Sequence, residues 1–287
     1  MSALFFFVTL LKAQFMKKRL LKYLKRGIII LGSIYVVACV LVYYFQEKLL
    51  FHPEAIPKTE SYSYDEDFTE KFYEVTAGVE LNTLLFKADS INEKRKLIFY
   101  IHGNAENLST AGGVAPIYTK QGYDCFVYDY RGYGKSNGEI DSEEGLFADA
   151  QILYSKMTLE YAEEDITIVG YSIGSGVAAW LASKNAPNKL ILQAPYFSMK
   201  DMMSTKYPIL PAFLLRYPLE TNERLKETKC PIYIFHGDKD QAIPYSSSEK
   251  LKKAVNTIDL TRLVGMGHTG FSGNQKYRTK LSEILSN

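Results

Sequence analysis

This sequence predicts an α/β fold with a mostly parallel central sheet covered by helices on both faces, preceded by one transmembrane helix. Three observations carry that prediction. From Lys96 onward, short β-branched runs alternate with helical patterns, the rhythm of strands joined by crossover helices. Asp165 to Lys184 (DITIVGYSIGSGVAAWLASK) reads as strand, tight small-residue turn and Ala-rich helix. Gly27 to Phe45 runs for 19 residues without a charge, close to the roughly 20 a helix needs to cross a hydrocarbon core.

The elements follow in order. Residues 1–26 form a basic N-terminus, which includes an apolar Ala3 to Leu11 too short to span a bilayer. Residues 27–45 are the anchor, with Tyr43, Tyr44 and Phe45 suited to the interfacial aromatic belt. Six basic residues lie between Met16 and Gly27, against Lys48, Glu47 and Glu54 beyond the span. The positive-inside bias therefore predicts a single-pass membrane protein with its C-terminal domain on the non-cytoplasmic side. Val36-Val37-Ala38-Cys39 resembles a lipoprotein cleavage site, but processing there would leave an apolar VLVYYF where such proteins turn polar.

Residues 46–70 read as a polar, Tyr-rich linker, and residues 71–287 as the folded domain. It opens on antiparallel strands Lys71 to Thr76 and Glu80 to Phe86, joined through Gly78. Then come Lys96 to Ile101, a helix near Ser109 to Gln121, Asp124 to Tyr128, a helix near Glu143 to Tyr161, and the Asp165–Lys184 unit. Lys189 to Ala194 precedes a Met- and Pro-rich insertion over about 196–227. Pro231 to Phe235, a helix near Ser246 to Ala254, Ile258 to Val264 and a helix near Asn274 to Leu285 complete the chain.

Charge and cysteine usage exclude several functions. Seven of the 34 basic residues and none of the 32 acids precede Gln46, so the remainder carries 27 against 32, a net of −5. Such a domain is no nucleic-acid partner. Cys39, Cys125 and Cys230 show neither disulfide nor zinc spacing, and no HExxH, EF-hand loop or GxxxxGK[ST] occurs, so no metal or cofactor is expected.

The chemistry belongs to the turn Gly170-Tyr171-Ser172-Ile173-Gly174. In G-x-S-x-G the glycines remove Cβ atoms that would collide, and the serine is left exposed on a strained corner as a candidate nucleophile. Gly174, Gly176 and Ala179 also fit G-x-G-x-x-A, yet the next strand ends without the acid that a dinucleotide site requires.

Activating a serine requires a base and an orienting carboxylate in the order Ser, Asp/Glu, His. Of four histidines, His52 lies in the linker, His102 precedes Ser172, and His236 precedes the acids that might serve it. His268, directly after the Ile258–Val264 strand, is the candidate base. Asp259 opens that strand at the wrong end of the sheet. Asp238 and Asp240 both follow a strand's carboxyl end, and spacing does not separate them. The backbone N–H groups of Ile173, at a helix start, and Asn104, beside Gly103, are the candidate oxyanion donors.

These motifs carry a family likeness. YIHGNAENLS (Tyr100 to Ser109), YDYRGYGKSNG (Tyr128 to Gly138), VGYSIGSG (Val169 to Gly176), FHGDKDQAIP (Phe235 to Pro244) and GMGH (Gly265 to His268) resemble the α/β-hydrolase fold serine hydrolases. The likeness is to the subgroup with one N-terminal membrane anchor and a short cap, which QEKLLFHP (Gln46 to Pro53) also resembles. It implies Ser172 as nucleophile, His268 as base and Asp240 as carboxylate, because H-G-x-x-D-x-x-I/V-P matches His236, Gly237, Asp240, Ile243 and Pro244. It also implies oxyanion donors at Asn104 and Ile173 and a structural turn at Arg131 and Ser136. Members of that family act on several classes of ester and thioester, so the particular substrate does not transfer; the reading for this chain is hydrolysis of acyl esters or thioesters.

The cap carries Met199, Met202, Met203, Tyr207, Ile209 and Phe213, which suit either an acyl-binding surface or the cap's own core. Glu220, Glu223 and Glu227 leave room for a peptidase that binds an α-amino group, and a membrane-tethered scaffold of the same fold is a third possibility.

Overall fold

The computed structural model describes residues 2–88 and 95–286. It divides into two compact units, Met1–Gln46 and Glu47–Asn287. The first is one helix, α1 (Ser2–Tyr44). At 1.5 Å per residue its 43 residues extend about 64 Å, twice the roughly 30 Å of a hydrocarbon core. The charge-free C-terminal part alone has the right length. Its Ile28, Ile29, Ile30, Leu31, Ile34, Val36 and Val37 are all exposed, so this stretch is apolar on every side and meets the requirement for a membrane span.

The second unit is built on an eight-stranded sheet in the order β1-β2-β4-β3-β5-β6-β7-β8. The strands are β1 (Phe68–Thr76), β2 (Val79–Phe86), β3 (Lys96–Ile101), β4 (Tyr123–Tyr128), β5 (Ile166–Tyr171), β6 (Lys189–Gln193), β7 (Ile232–Gly237) and β8 (Asp259–Leu263). β1 and β2 pair antiparallel, as do β2 and β4; every other pairing is parallel. Along β3, Leu97, Phe99 and Ile101 enter one core while Ile98 and Tyr100 enter the other, all buried. A strand buried on both faces has no solvent side, so its sequence is apolar throughout.

The helices are α2 (Gln46–Leu50), α3 (Leu108–Ala111), α4 (Ala115–Thr119), α5 (Glu143–Met157), α6 (Gly174–Lys184), α7 (Met199–Lys206), α8 (Thr221–Glu227), α9 (Ser246–Ala254) and α10 (Gln275–Ser286). Three expectations needed adjustment: β1 begins at Phe68, inside the stretch read as linker, and two helices differ. The helix expected near Ser109 to Gln121 is broken into α3, a 3-10 turn at Gly112–Val114, and α4. A Cβ at Gly112 would lie 2.6 Å from the Tyr64 ring, so the linker presses into the site of the break. The helix expected near Glu143 to Tyr161 ends at Met157.

β4 lies on one side of β3 and β5 on the other, so the chain reverses direction across the sheet at β3. The carboxyl ends of β3 and β5 therefore flank a crevice where functional groups collect.

Candidate active site

Ser172 stands at that crevice, between β5 and α6, with a φ of 52°. A left-handed non-glycine residue costs of order 1–3 kcal/mol and persists only where its surroundings enforce it. They do so here through two glycines. A Cβ at Gly170 would lie 2.5 Å from that of Ala178, and one at Gly174 would overlap the carbonyl oxygens of Ile101 and His102. Both positions are filled by backbone and helix, so α6 starts hard against the end of β3 and the corner has no room to relax. The Ser172 N–H donates to the Gln193 carbonyl at 2.9 Å, and Tyr196 donates to the Ile173 carbonyl at 3.2 Å. Gly176 leaves the space that the Tyr196 hydroxyl fills.

Ser172 Oγ lies 2.9 Å from His268 Nε2, and His268 Nδ1 lies 2.7 Å from Asp240 Oδ2. The chain is joined at its far end by the loops after β7 and β8. A Cβ at Gly237 would strike the carbonyls of Met266 and Gly267, while Lys239 N–H donates to Met266 O at 2.9 Å and Asp238 N–H to Leu263 O at 3.2 Å. These contacts set the spacing of the acid and the imidazole.

Of the two acids that spacing left equivalent, Asp240 reaches His268. Asp238 instead accepts from Arg262 at 2.8 Å and from the Gly265 N–H at 2.7 Å, closing the turn. Asp259 opens β8 and pairs with Lys280 at 3.3 Å, remote from the crevice in chain direction.

Asp240 has a fully buried side chain, and burial alone would raise its pKa. Hydrogen bonds from His236, His268 and the Ile243 N–H outweigh burial and hold the carboxyl well below the usual carboxylate range. Its Oδ1 accepts from the Ala242 and Ile243 N–H groups, each at 2.8 Å. His236 Nε2 lies 2.9 Å from the Ile243 carbonyl, an acceptor, so that nitrogen carries the proton and also faces Asp240 Oδ2 at 3.2 Å. Ser248 Oγ then donates to His236 Nδ1 at 2.6 Å. Imidazole and carboxylate together form a buried network under the His268 contact.

Asn104 follows β3 and Ile173 follows Ser172; the Gly174 contact brings these segments together. Among the described residues, no protein acceptor takes either N–H. Asn104 is held through its side chain: Oδ1 accepts from Tyr133 OH at 2.9 Å and from His52 N–H at 3.2 Å, and Nδ2 donates to His52 Nδ1 at 2.8 Å. Further along the loop, Asp129 Oδ1 accepts the Leu108 N–H at 2.9 Å. His102 is buried beside it, its Nδ1 2.7 Å from Gly103 O and its Nε2 3.5 Å from Asp129. Burial raises the Asp129 pKa, offset in part by His102.

His52, Asp129, Tyr196 and His236 are contributors that sequence reasoning passed over. For His236 a signal existed, since it opens the motif that names Asp240. For His52 the family-like QEKLLFHP stretch marked the segment but not its partner, because the 52-residue separation from Asn104 is bridged only by the fold. Arg131 and Ser136 take structural places: Arg131 pairs with Asp149 through two bonds of 2.7 and 2.8 Å, and Ser136 bridges Asn82 N and Asp129 O.

In the insertion, Met203 is buried and Met199 and Met202 pack on the main core, whereas Tyr207, Ile209 and Phe213 are exposed. Glu220, Glu223 and Glu227 are exposed, the last two paired with Lys226 and Lys184. They form no acidic recess.

Comparison with known proteins matches residues 92–221 to the Serine aminopeptidase, S33 family (Hydrolase_4). Protein bem46 of Schizosaccharomyces pombe is 31% identical over 221 residues, covering 70% of this chain and 72% of that one. Lysophosphatidylserine lipase ABHD12 of Danio rerio is 28% identical over 186 residues, covering 56% of this chain; the alignment spans only 48% of that relative's length. Among solved structures, the Pyrococcus furiosus esterase Pf2001 superposes with a TM-score of 0.66 at 16% identity, covering 83% of this chain and 97% of that one. Est1E of Butyrivibrio proteoclasticus gives 0.61 at 20% identity, covering 75% and 96%. At those identities the structures show the shared fold, and bem46 shows the kinship. The chain belongs to the family of α/β-hydrolase fold serine hydrolases that includes Protein bem46.

Proposed function

We propose that this enzyme is a membrane-anchored serine hydrolase that cleaves carboxylic esters or thioesters of lipid-like acyl groups through an acyl-enzyme. The observation that carries the reading is the run of two short contacts, Ser172 to His268 to Asp240, at the carboxyl end of a parallel sheet. Ser172 Oγ attacks the acyl carbonyl while His268 Nε2 takes its proton. Asp240, ionised against its own burial, accepts from His268 Nδ1–H, which fixes the tautomer that leaves Nε2 free. The N–H groups of Asn104 and Ile173 bind the developing oxyanion; removing one such donor costs about 2.7–4 kcal/mol of barrier. His268 then protonates the leaving group, and water attacks the acyl-enzyme along the reverse proton path.

The domain assignment follows the same reading: residues 27–45 anchor the protein, residues 46–70 connect, residues 71–287 are catalytic, and 196–227 are the cap. Substrate class and sidedness rest on the esterase and lipase names of the relatives and on the basic N-terminal flank. A series of p-nitrophenyl esters from acetate to palmitate tests the reading. Turnover that rises with chain length supports a lipid acyl group, and turnover of none contradicts it. A peptidase reading has the Serine aminopeptidase, S33 match in its favour, and faster cleavage of aminoacyl p-nitroanilides than of any ester would install it.

A further inference from the structure

A recess of about 140 Å³ opens on the sheet face opposite α6, beside the Ser172–His268 pair. Its walls include the rings of Tyr100, Tyr118, Tyr171 and Phe271 and a single charged group, the carboxylate of Glu106. Two features tie it to the reacting atoms. Tyr171 immediately precedes Ser172 and its hydroxyl donates to the His268 carbonyl at 3.2 Å, while Thr269, also in the wall, immediately follows His268. Glu106 Oε2 accepts the Gly103 N–H at 3.0 Å, one residue from the oxyanion donor Asn104.

Glu106 is half-buried, and among the described residues no Lys, Arg or His forms an ion pair with it. Within the described residues Glu106 thus presents an unpaired, partly water-exposed carboxylate at the edge of an aromatic wall, where a cation can meet it. Rings around a carboxylate make the surroundings that recognise ammonium groups, through cation–π attraction and charge together. The hydrogen bond from Gly103 fixes one carboxylate oxygen, and among the described residues the other takes no hydrogen bond. The wall continues from His268 through Thr269, so a leaving group protonated by His268 can extend into the recess.

We propose that this recess binds an ammonium group carried by the leaving alcohol, so that the enzyme prefers esters of amino alcohols over neutral ones. The inference rests on Ser172 and His268 acting as nucleophile and base. Glu106 holds the cation and thereby places the ester; it takes no part in bond making.

The test uses the full-length protein in detergent and two butyrate esters, that of choline and its uncharged isostere with tert-butyl in place of trimethylammonium. Wild type should favour the choline ester in kcat/KM by at least about tenfold. In Glu106→Gln, whose amide oxygen still accepts the Gly103 N–H, that ratio should fall to near one. Reading the ratio within each variant cancels any general loss of activity. Should Glu106→Gln not fold, tetramethylammonium chloride should compete with the choline ester in wild type where sodium chloride at equal ionic strength does not. Equal kcat/KM for the two esters in wild type overturns the recess and leaves the serine hydrolase standing. So does failure to turn over either ester while Ser172 still reacts with a fluorophosphonate. Neither turnover nor labelling overturns the hydrolase reading itself.

Discussion

Asp240 is an acid that the protein keeps ionised against its own burial, and the consequence reaches both catalysis and stability. Its pKa in the folded state lies below that of an unfolded aspartate, normally about 4. It therefore contributes stability that is present above that range and is lost as pH falls toward the depressed folded value. Thermal midpoints of wild type and Asp240→Asn should thus differ most near neutrality and converge on acidification. Asp240→Asn should also lose on the order of a thousandfold or more in kcat, because the amide no longer holds the tautomer that leaves His268 Nε2 free. The sequence offered Ser172 and His268 through motif, chain order and strand position. It left Asp238 and Asp240 level until the family pattern was matched, since both follow the same strand by a few residues. What separates them is a contact across the sheet, from Asp238 to Arg262 and Gly265.

At the scale of elements, the turn around Ser172 is fixed from outside. Gly174→Ala would push a methyl into the backbone carbonyls of Ile101 and His102 at the end of β3, which have no flexible side chain to yield, and should cost about 2 kcal/mol or more. Lowered thermal stability of a variant that retains Ser172 and His268 would show this. The segment after α1 has a role that its polar, Tyr-rich composition conceals. Phe51 is buried against Tyr217 with ring centroids 5.3 Å apart, Glu47 accepts from Tyr217 OH at 3.1 Å, and His52 bonds to Asn104. Phe51→Ala should cost about 3 kcal/mol in unfolding and also lower kcat, because it loosens the strap that holds the Asn104 loop. Read as a linker, this stretch gave no sign of those partners, which lie from 52 to 170 residues away in sequence. The same holds for Gly112, whose helix-breaking contact is with Tyr64. The inner strands, by contrast, were legible to within about two residues, because burial on both faces writes an apolar run directly into the chain, whereas the largely exposed β1 begins three residues before its expected start, at Phe68.

For the whole molecule, the proposed anchor and the α/β-hydrolase domain separate cleanly in composition: a charge-free candidate span with a basic flank, then a mildly acidic α/β unit. Removing residues 1–45 should release the protein from membranes while preserving ester hydrolysis, measured by fractionation and by turnover of a short-chain ester. With the positive-inside orientation, a tag after Asn287 should be cut by protease added to cells with intact cytoplasmic membranes, and full protection would reverse the assignment. A mostly parallel sheet with its site at the strands' carboxyl ends was implied by the alternation of elements; the strand order and the reversal at β3 were not, because alternation does not say which strands become neighbours. Nor was the aromatic recess, because Tyr100 and Glu106, Tyr171, and Phe271 come from three separate segments.

Fluorophosphonate labelling of the detergent-solubilised wild type and Ser172→Ala, with ester hydrolysis measured on the same samples, is the most direct test of the serine hydrolase mechanism. Labelling and turnover present in wild type and absent from a folded Ser172→Ala are the predicted result. A folded wild type that takes no label and turns over no ester would contradict the account, as would labelling that survives in Ser172→Ala.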